Sequence, residues 1–258
     1  MPTVTLLEKV YSSFSPEAFE PVFSSLCKGL KVGLRIVGET NRGWVQIEVS
    51  GEDEIAALHF LDREIGLAPG SLDNLKKFSV VRGRVVFSGK SKKELYVDIG
   101  VFSPETCDAV LPLERLQAQL ADGKKLPLQR LVELFCLCDN LPLKVKVTQD
   151  VGVQETWIEA ELSEAQLSQI TSWIRSSFDR LVVLGAFFSD VEGAVKMSKH
   201  FRDVIRIESL GMLEQVILCK LGTDAVGLIS KLGRFLPDAV LVPFSPRKIR
   251  QLIDRPFL

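Results

Sequence analysis

Arg82 and Arg84 stand two residues apart in VRGRVVF, and Lys144 and Lys146 repeat that spacing in LKVKV. In an extended strand residues i and i+2 point to one face, so each pair would present two cations together. The loop SGKSKK that follows the arginines adds Lys90, Lys92 and Lys93, with Phe87 before it and Tyr96 after it. Cations that hold phosphates beside rings on which bases stack are the combination used by readers of single-stranded nucleic acid. From Lys76 to Gly100 seven cations stand against two carboxylates, although the whole chain has a formal net charge of -1. Charge is therefore segregated, and any polyanion would meet one region and not a uniformly basic coat. A solvated sheet face is the competing reading, because half-exposed strands alternate in charge and lysines keep sheet edges from pairing with other chains.

Other chemistry finds fewer residues. The two histidines, His59 in AALHFLDRE and His200 in KMSKHFRD, lie on helical patterns without a motif partner. Both read as structural side chains. No GxSxG elbow, GxGxxG or GxxxxGKS/T opens a helix after a strand, and the Gly-Lys-Ser of SGKSKK lies in a turn between strands. Glu52, Asp53 and Glu54 sit at a helix start, where the helix dipole accounts for them. The five cysteines, Cys27, Cys107, Cys136, Cys138 and Cys219, are odd in number and form no CxxC pair. They read as buried thiols in a reducing compartment. No catalytic residue, metal ligand or cofactor is expected, and the chain reads as a non-enzyme.

Hydrophobic residues make up 46% and charged residues 25% of 258, ordinary for a globular chain long enough for one large or two to three small domains. No apolar run reaches the roughly 18 residues of a membrane span. MPTVTLLEKVYSS lacks a basic segment followed by an apolar core, which predicts an unprocessed cytoplasmic protein.

The elements that must position the cations fall into three segments. Residues 1–75 read as strand, helix, two strands and helix: TVTLLEKVY, a helix capped by Ser15 with Pro16 in its first turn, LKVGLRIVG, WVQIEVS and EDEIAALHFLDRE, stopped by Gly66. LAPGSLDN follows as a linker. Residues 164–258 repeat the rhythm in full, as strand RLVVLGAFF, helix, strands DVIRIESLG and EQVILCKLG, a helix capped at Thr223 and Asp224, and strand DAVLVPFS. Both segments are β-α-β-β-α units of ferredoxin-like type, the second with its closing strand. Ser245 and Pro246 would open a last helix in a basic tail with Arg247, Lys248, Arg250 and Arg255, docked on its own domain, with partner binding as the alternative. Residues 76–163 break the rhythm with five short strands and a helical insertion between the third and fourth, the plan of an OB barrel.

In this middle segment Gly83, the VDIG of Val97 to Gly100, LPLERL, LKVKVTQD and IEAELS resemble, in that order, the S1-like RNA-binding barrel. Pro112, Glu114 and Trp157 stand where that family often carries histidine, serine and arginine. Over nearly its full length the chain, with TVTLLEKVY, RGWVQIEVSGEDE and DGKKLPLQRLVELFCLCDNLPLKVKV, resembles an archaeal family known as domain of unknown function 2110. The first resemblance implies RNA as partner, held at Arg82, Arg84, Phe87, Lys90, Lys92, Lys93, Tyr96, Lys144 and Lys146. It also implies work beside the translation, transcription or RNA-processing machinery, on the ribosome or RNA polymerase. The alternative is a protein-interaction scaffold whose barrel has lost its nucleic acid.

Overall fold

The computed structural model describes residues 2–11, 15–89, 91–150 and 156–253. Lys90 and Arg255 lie outside them. The chain divides into two compact units, one built from residues up to Leu75 together with Ile99–Cys107, the other from Lys76–Asp98 and most of the chain from Asp108 onward.

In the first unit β1 (Thr3–Lys9), α1 (Glu20–Leu26), β2 (Val32–Glu39), β3 (Trp44–Gly51) and α2 (Glu54–Glu64) come in the expected order. The sheet runs β1-β3-β2, antiparallel throughout. Its core is Leu6, Phe19, Phe23, Trp44, Ile47 and Leu61, each at most 1% exposed. Ser15 does not cap α1. A 3-10 turn, Pro16–Phe19, intervenes, and a second proline, Pro21, sits in the first turn of α1. Gly66 ends α2 with φ at 101°, a left-handed conformation that costs a glycine little. The stretch expected as a linker is instead part of the sheets. Leu67 bridges Leu6 antiparallel, and β4 (Gly70–Ser71) pairs in parallel with β6 (Glu94–Ser103). The reason is apolar: Leu67 continues the hydrophobic alternation past Gly66, and Leu72 is 5% exposed.

The second unit begins with β5 (Val80–Val86), which pairs antiparallel with β6. After them come β7 (Cys107–Pro112), α3 (Leu113–Ala121), α4 (Leu128–Phe135), β8 (Pro142–Val147) and β9 (Trp157–Leu162). β5 also pairs antiparallel with β8, β8 with β9, and β9 in parallel with β7. The pairing of β7 with β6 closes a five-stranded barrel. Apolar side chains from all five strands fill it, with clean alternation along β8 and β9: Val85, Val97, Leu111, Val145, Ile158 and Ala160 are fully buried.

At Gly83 there is no room for a side chain between β5 and β6. A Cβ there would lie 2.5 Å from the Asp98 carbonyl oxygen and 2.7 Å from Val97 Cγ1. Gly83→Ala is expected to cost about 1–3 kcal/mol by overpacking, read as a lower urea midpoint at unchanged m value. An unchanged midpoint would mean that β5 and β6 lie farther apart than described.

Past the barrel, α5 (Glu164–Arg175) leads to β10 (Arg180–Leu184), α6 (Phe188–Met197), β11 (Val204–Ser209), β12 (Glu214–Cys219), α7 (Ala225–Leu232), β13 (Val240–Phe244) and α8 (Pro246–Leu252). The sheet order is β11-β12-β10-β13, all antiparallel. Leu181, Val183 and Ile217 pack under Ala194 of α6 and Leu228 of α7. Beside β13, Trp173 of α5 meets Phe244 edge to face at 5.3 Å. Asp224 caps α7 as expected, its Oδ1 accepting the Val226 N–H at 3.0 Å. Ser245 does not cap α8; its hydroxyl donates to Asp179 instead. Arg180 donates to the Trp173 and Phe178 carbonyls and to Ser176 Oγ, which fixes the end of α5 against the sheet.

Candidate nucleic-acid interface

β5 and β8 run antiparallel with Val80 opposite Lys146 and Arg82 opposite Lys144. That register places the four side chains on the barrel's outer face, because Val145 and Gly83, one step along, are buried. Arg82 and Lys144 are exposed and Lys146 is half-buried. Residues 76–79 form a tight turn just before β5, with Ser79 N–H donating to the Lys76 carbonyl and Lys76 N–H to Ser79 Oγ. Phe78 leaves this turn with φ at 68° while its N–H stays bonded to the Val147 carbonyl. A phenylalanine at positive φ is uncommon. It carries the ring outward to 62% exposure. Lys77 Nζ and Lys146 Nζ each lie 5.5 Å from the ring centroid, within reach of a cation–π contact. Carboxylates brake both cations: Lys77 is 3.5 Å from Asp150 and Lys146 3.6 Å from Glu161.

Next to this face a cleft of about 260 Å³ opens between β5, β8, α5 and the end of β11. Arg82 and Lys144 form one wall, Gln166, Gln169 and Ser209 the other.

Of the residues expected at the interface, Arg82, Lys144 and Lys146 come together on one outer face, and Lys146 lies against an exposed ring. The ring is Phe78, not Tyr96 or Phe87. Arg84 must be removed from the set. It is 3% exposed and ion-paired with Glu214 of β12, itself fully buried. The end of β12 covers the barrel there, so the i, i+2 partner of Arg82 faces protein and not solvent. Phe87 and Lys92 and Lys93 lie beyond the far end of β5, all exposed. At about 3.3 Å per residue, Phe87 is roughly 16 Å from Arg82 along the strand. Tyr96, across from Val86 near that end, is half-buried and donates its hydroxyl to Glu94 at 2.7 Å. That bond, then burial and the charges of Glu94 and Asp108, hold its phenol above the ordinary tyrosine value. Lys90 lies outside the described residues.

Two kinds of residue escaped sequence reasoning. Phe78 had a signal, an aromatic directly after Lys76 and Lys77, but it read as the start of a strand. Gln166 and Gln169 had none, because a glutamine on a helix is ordinary until a strand from another segment faces it.

Among the described residues no three of His, Cys, Asp and Glu gather into a metal-binding group. Four of the five thiols are buried and Cys138 is half-buried, with Cys138 pushed up to about 11 and Cys219 to about 12 by burial first. His200 Nδ1 lies 2.7 Å from Asp203 within its own turn. No helix among the described residues is long and apolar enough to cross a membrane.

Family models match the sequence over 3–69, as the DUF2110 N-terminal domain, over 79–174, as the DUF2110 central domain, and over 178–243, as the DUF2110 C-terminal domain. The chain belongs to the DUF2110 family. No curated protein matches it. The DUF2110 central domain takes in the barrel and α5, so all the cleft residues except Ser209 and Leu210 lie within it. Those two belong to the DUF2110 C-terminal domain.

Proposed function

We propose that this DUF2110 protein is a non-enzymatic, cytoplasmic RNA-binding protein of archaeal type. Its barrel would be an S1-like OB domain, and the units on either side ferredoxin-like. It would serve the translation, transcription or RNA-processing machinery, beside the ribosome or RNA polymerase. Strand order supports the architecture. The first barrel strand pairs with the second and fourth, the third runs parallel to the fifth, and the helices come between third and fourth. The order β11-β12-β10-β13 fits the ferredoxin-like plan, and β1-β3-β2 fits it with residues 66–68 in place of the last strand.

The observation that carries the function is the shared outer face of Arg82, Lys144 and Lys146, with Lys146 and Lys77 against the exposed Phe78 ring at one end of it. OB domains commonly bind across their second and third strands. Here the second strand carries the half-buried Glu94, bonded to Tyr96, whereas the first and fourth carry the exposed Arg82 and Lys144, so the favoured path for RNA is across the first and fourth. A stacked base on Phe78 with phosphates at the three cations needs no sequence readout.

Titration of a labelled single-stranded RNA at several salt concentrations tests this. Three phosphate contacts predict a log-log slope near -2, at about 0.7 per contact for a single strand. Phe78→Ala is expected to weaken binding by about 1–3 kcal/mol, the worth of one stacked base, with the slope unchanged. Absence of binding, or a slope near zero, would overturn the proposal. The scaffold reading is favoured by one observation, the use of the barrel's outer face at Arg84 for contact with protein. It predicts a stoichiometric protein partner retained after nuclease treatment.

A further inference from the structure

The hydrogen bonds behind the cleft wall fix which atoms it offers. The Lys144 N–H donates to Gln166 Oε1 at 3.0 Å, and a backbone amide can only donate, so the Gln166 carbonyl faces β8 and its Nε2 faces away. That Nε2 lies 3.4 Å from Gln169 Oε1, which leaves the Gln169 amide nitrogen as the outer, donating end. Gln166 is 7% exposed and cannot swing out to change this polarity. Behind Ser209, Gln215, 1% exposed, donates its Nε2 to the Met212 carbonyl at 3.0 Å. Its Oε1 therefore accepts the Ser209 hydroxyl proton at 2.7 Å. With that proton committed, Ser209 Oγ turns only lone pairs to the cleft.

The wall thus presents amide donors from Gln166 and Gln169 and an acceptor from Ser209, beside the cations Arg82 and Lys144. None of the lining residues is a carboxylate. At about 260 Å³ the cleft is smaller than most drug-sized pockets, which start near 300 Å³. A single nucleotide is the scale of ligand it suits.

We infer that the cleft is a base-reading subsite that selects uridine over cytidine at one position of the bound RNA. This rests on the proposed RNA binding at Arg82 and Lys144, which would hold the phosphates flanking that nucleotide. Uracil offers two carbonyl oxygens with an N–H between them, the complement of donors set about one acceptor. Cytosine has the same ring and stacking face, but replaces one carbonyl with an amino group and the N–H with a bare nitrogen. Its amino group would oppose the glutamine donors, and Ser209 would face a lone pair. Bases read on their Watson–Crick edges in single strands are discriminated in this way.

The test compares oligouridylate with oligocytidylate of equal length at fixed salt, for the full chain, Gln169→Ala and Ser209→Ala. The expected result is roughly tenfold tighter binding of oligouridylate, the scale of one good base-edge contact. Each variant should bring the ratio near one while leaving the salt slope in place. Equal binding of both RNAs by the full chain, or a preference that survives both variants, overturns the subsite alone. Failure to bind either RNA overturns the underlying reading instead. Far-ultraviolet circular dichroism of the variants confirms that loss of preference is not loss of fold.

Discussion

Arg82→Ala, Lys144→Ala and Lys146→Ala combined are expected to weaken single-stranded RNA binding about a hundredfold at 0.1 M salt. The same triple change should take about two units off the log-log slope. Both figures come from one count: three contacts at about 0.7 each make a slope of roughly two, and two decades of affinity between 0.1 and 1 M salt. Simple loss of positive charge is excluded by a matched control. Lys196, Lys220 and Lys231 are exposed on other elements, so their triple alanine variant changes net charge equally without touching the β5–β8 face. The control should keep the slope. Equal effects of the two triples would reduce the interface to long-range attraction, and an unchanged slope in the first would remove these residues from the contact. Lys92 and Lys93 matter only for longer RNA, since they lie at the other end of β5.

The same strand shows how much of this was legible. Alternation in VRGRVVF gave the strand and the shared side of Arg82 and Arg84, because those depend on neighbours in the chain. Whether a residue on the outer face meets water depends on what else folds onto it. Arg82 and Arg84 are equivalent by spacing; the difference is Glu214, 130 positions after Arg84. The exposed ring shows the same limit. Tyr96 has a strand pattern around it, yet its hydroxyl is committed to Glu94, whereas Phe78 is turned outward by a positive φ that no periodicity announces. The linker at LAPGSLDN failed for a related reason. Pro and Gly mark a break in regular structure, and here they mark the passage from one sheet to the next. The barrel strands and the C-terminal unit were readable because each carries its own runs of apolar, β-branched residues.

Arg84→Ala is expected to destabilise the fold by about 3–5 kcal/mol, the cost of breaking a buried ion pair and leaving one member behind. That is a large part of the 5–15 kcal/mol that typically holds a domain together. Glu214→Ala should cost less. Asp98 lies directly across from Arg84 in the β5–β6 register and is 1% exposed, so the arginine keeps an acidic neighbour when Glu214 is removed. Removing the arginine instead leaves two buried carboxylates near one another, each disfavouring the other's charge. Gly211 belongs to the same packing: a Cβ there would run into the Glu214 carboxylate and lie 3.0 Å from Arg84 Nη2. Arg84→Met with Glu214→Leu should recover most of the loss, because apolar residues of similar volume need neither the charge nor its desolvation. Chemical denaturation of the three variants orders these costs; single variants within about 1 kcal/mol of the parent would mean that the pair is solvated. The double variant also separates the RNA contact expected from the sequence from the ion pair that the structure shows. It removes Arg84 as a cation while keeping the fold, so an RNA salt slope equal to that of the parent assigns Arg84 to holding the C-terminal sheet against the barrel. A slope reduced by about 0.7 would return Arg84 to the RNA face.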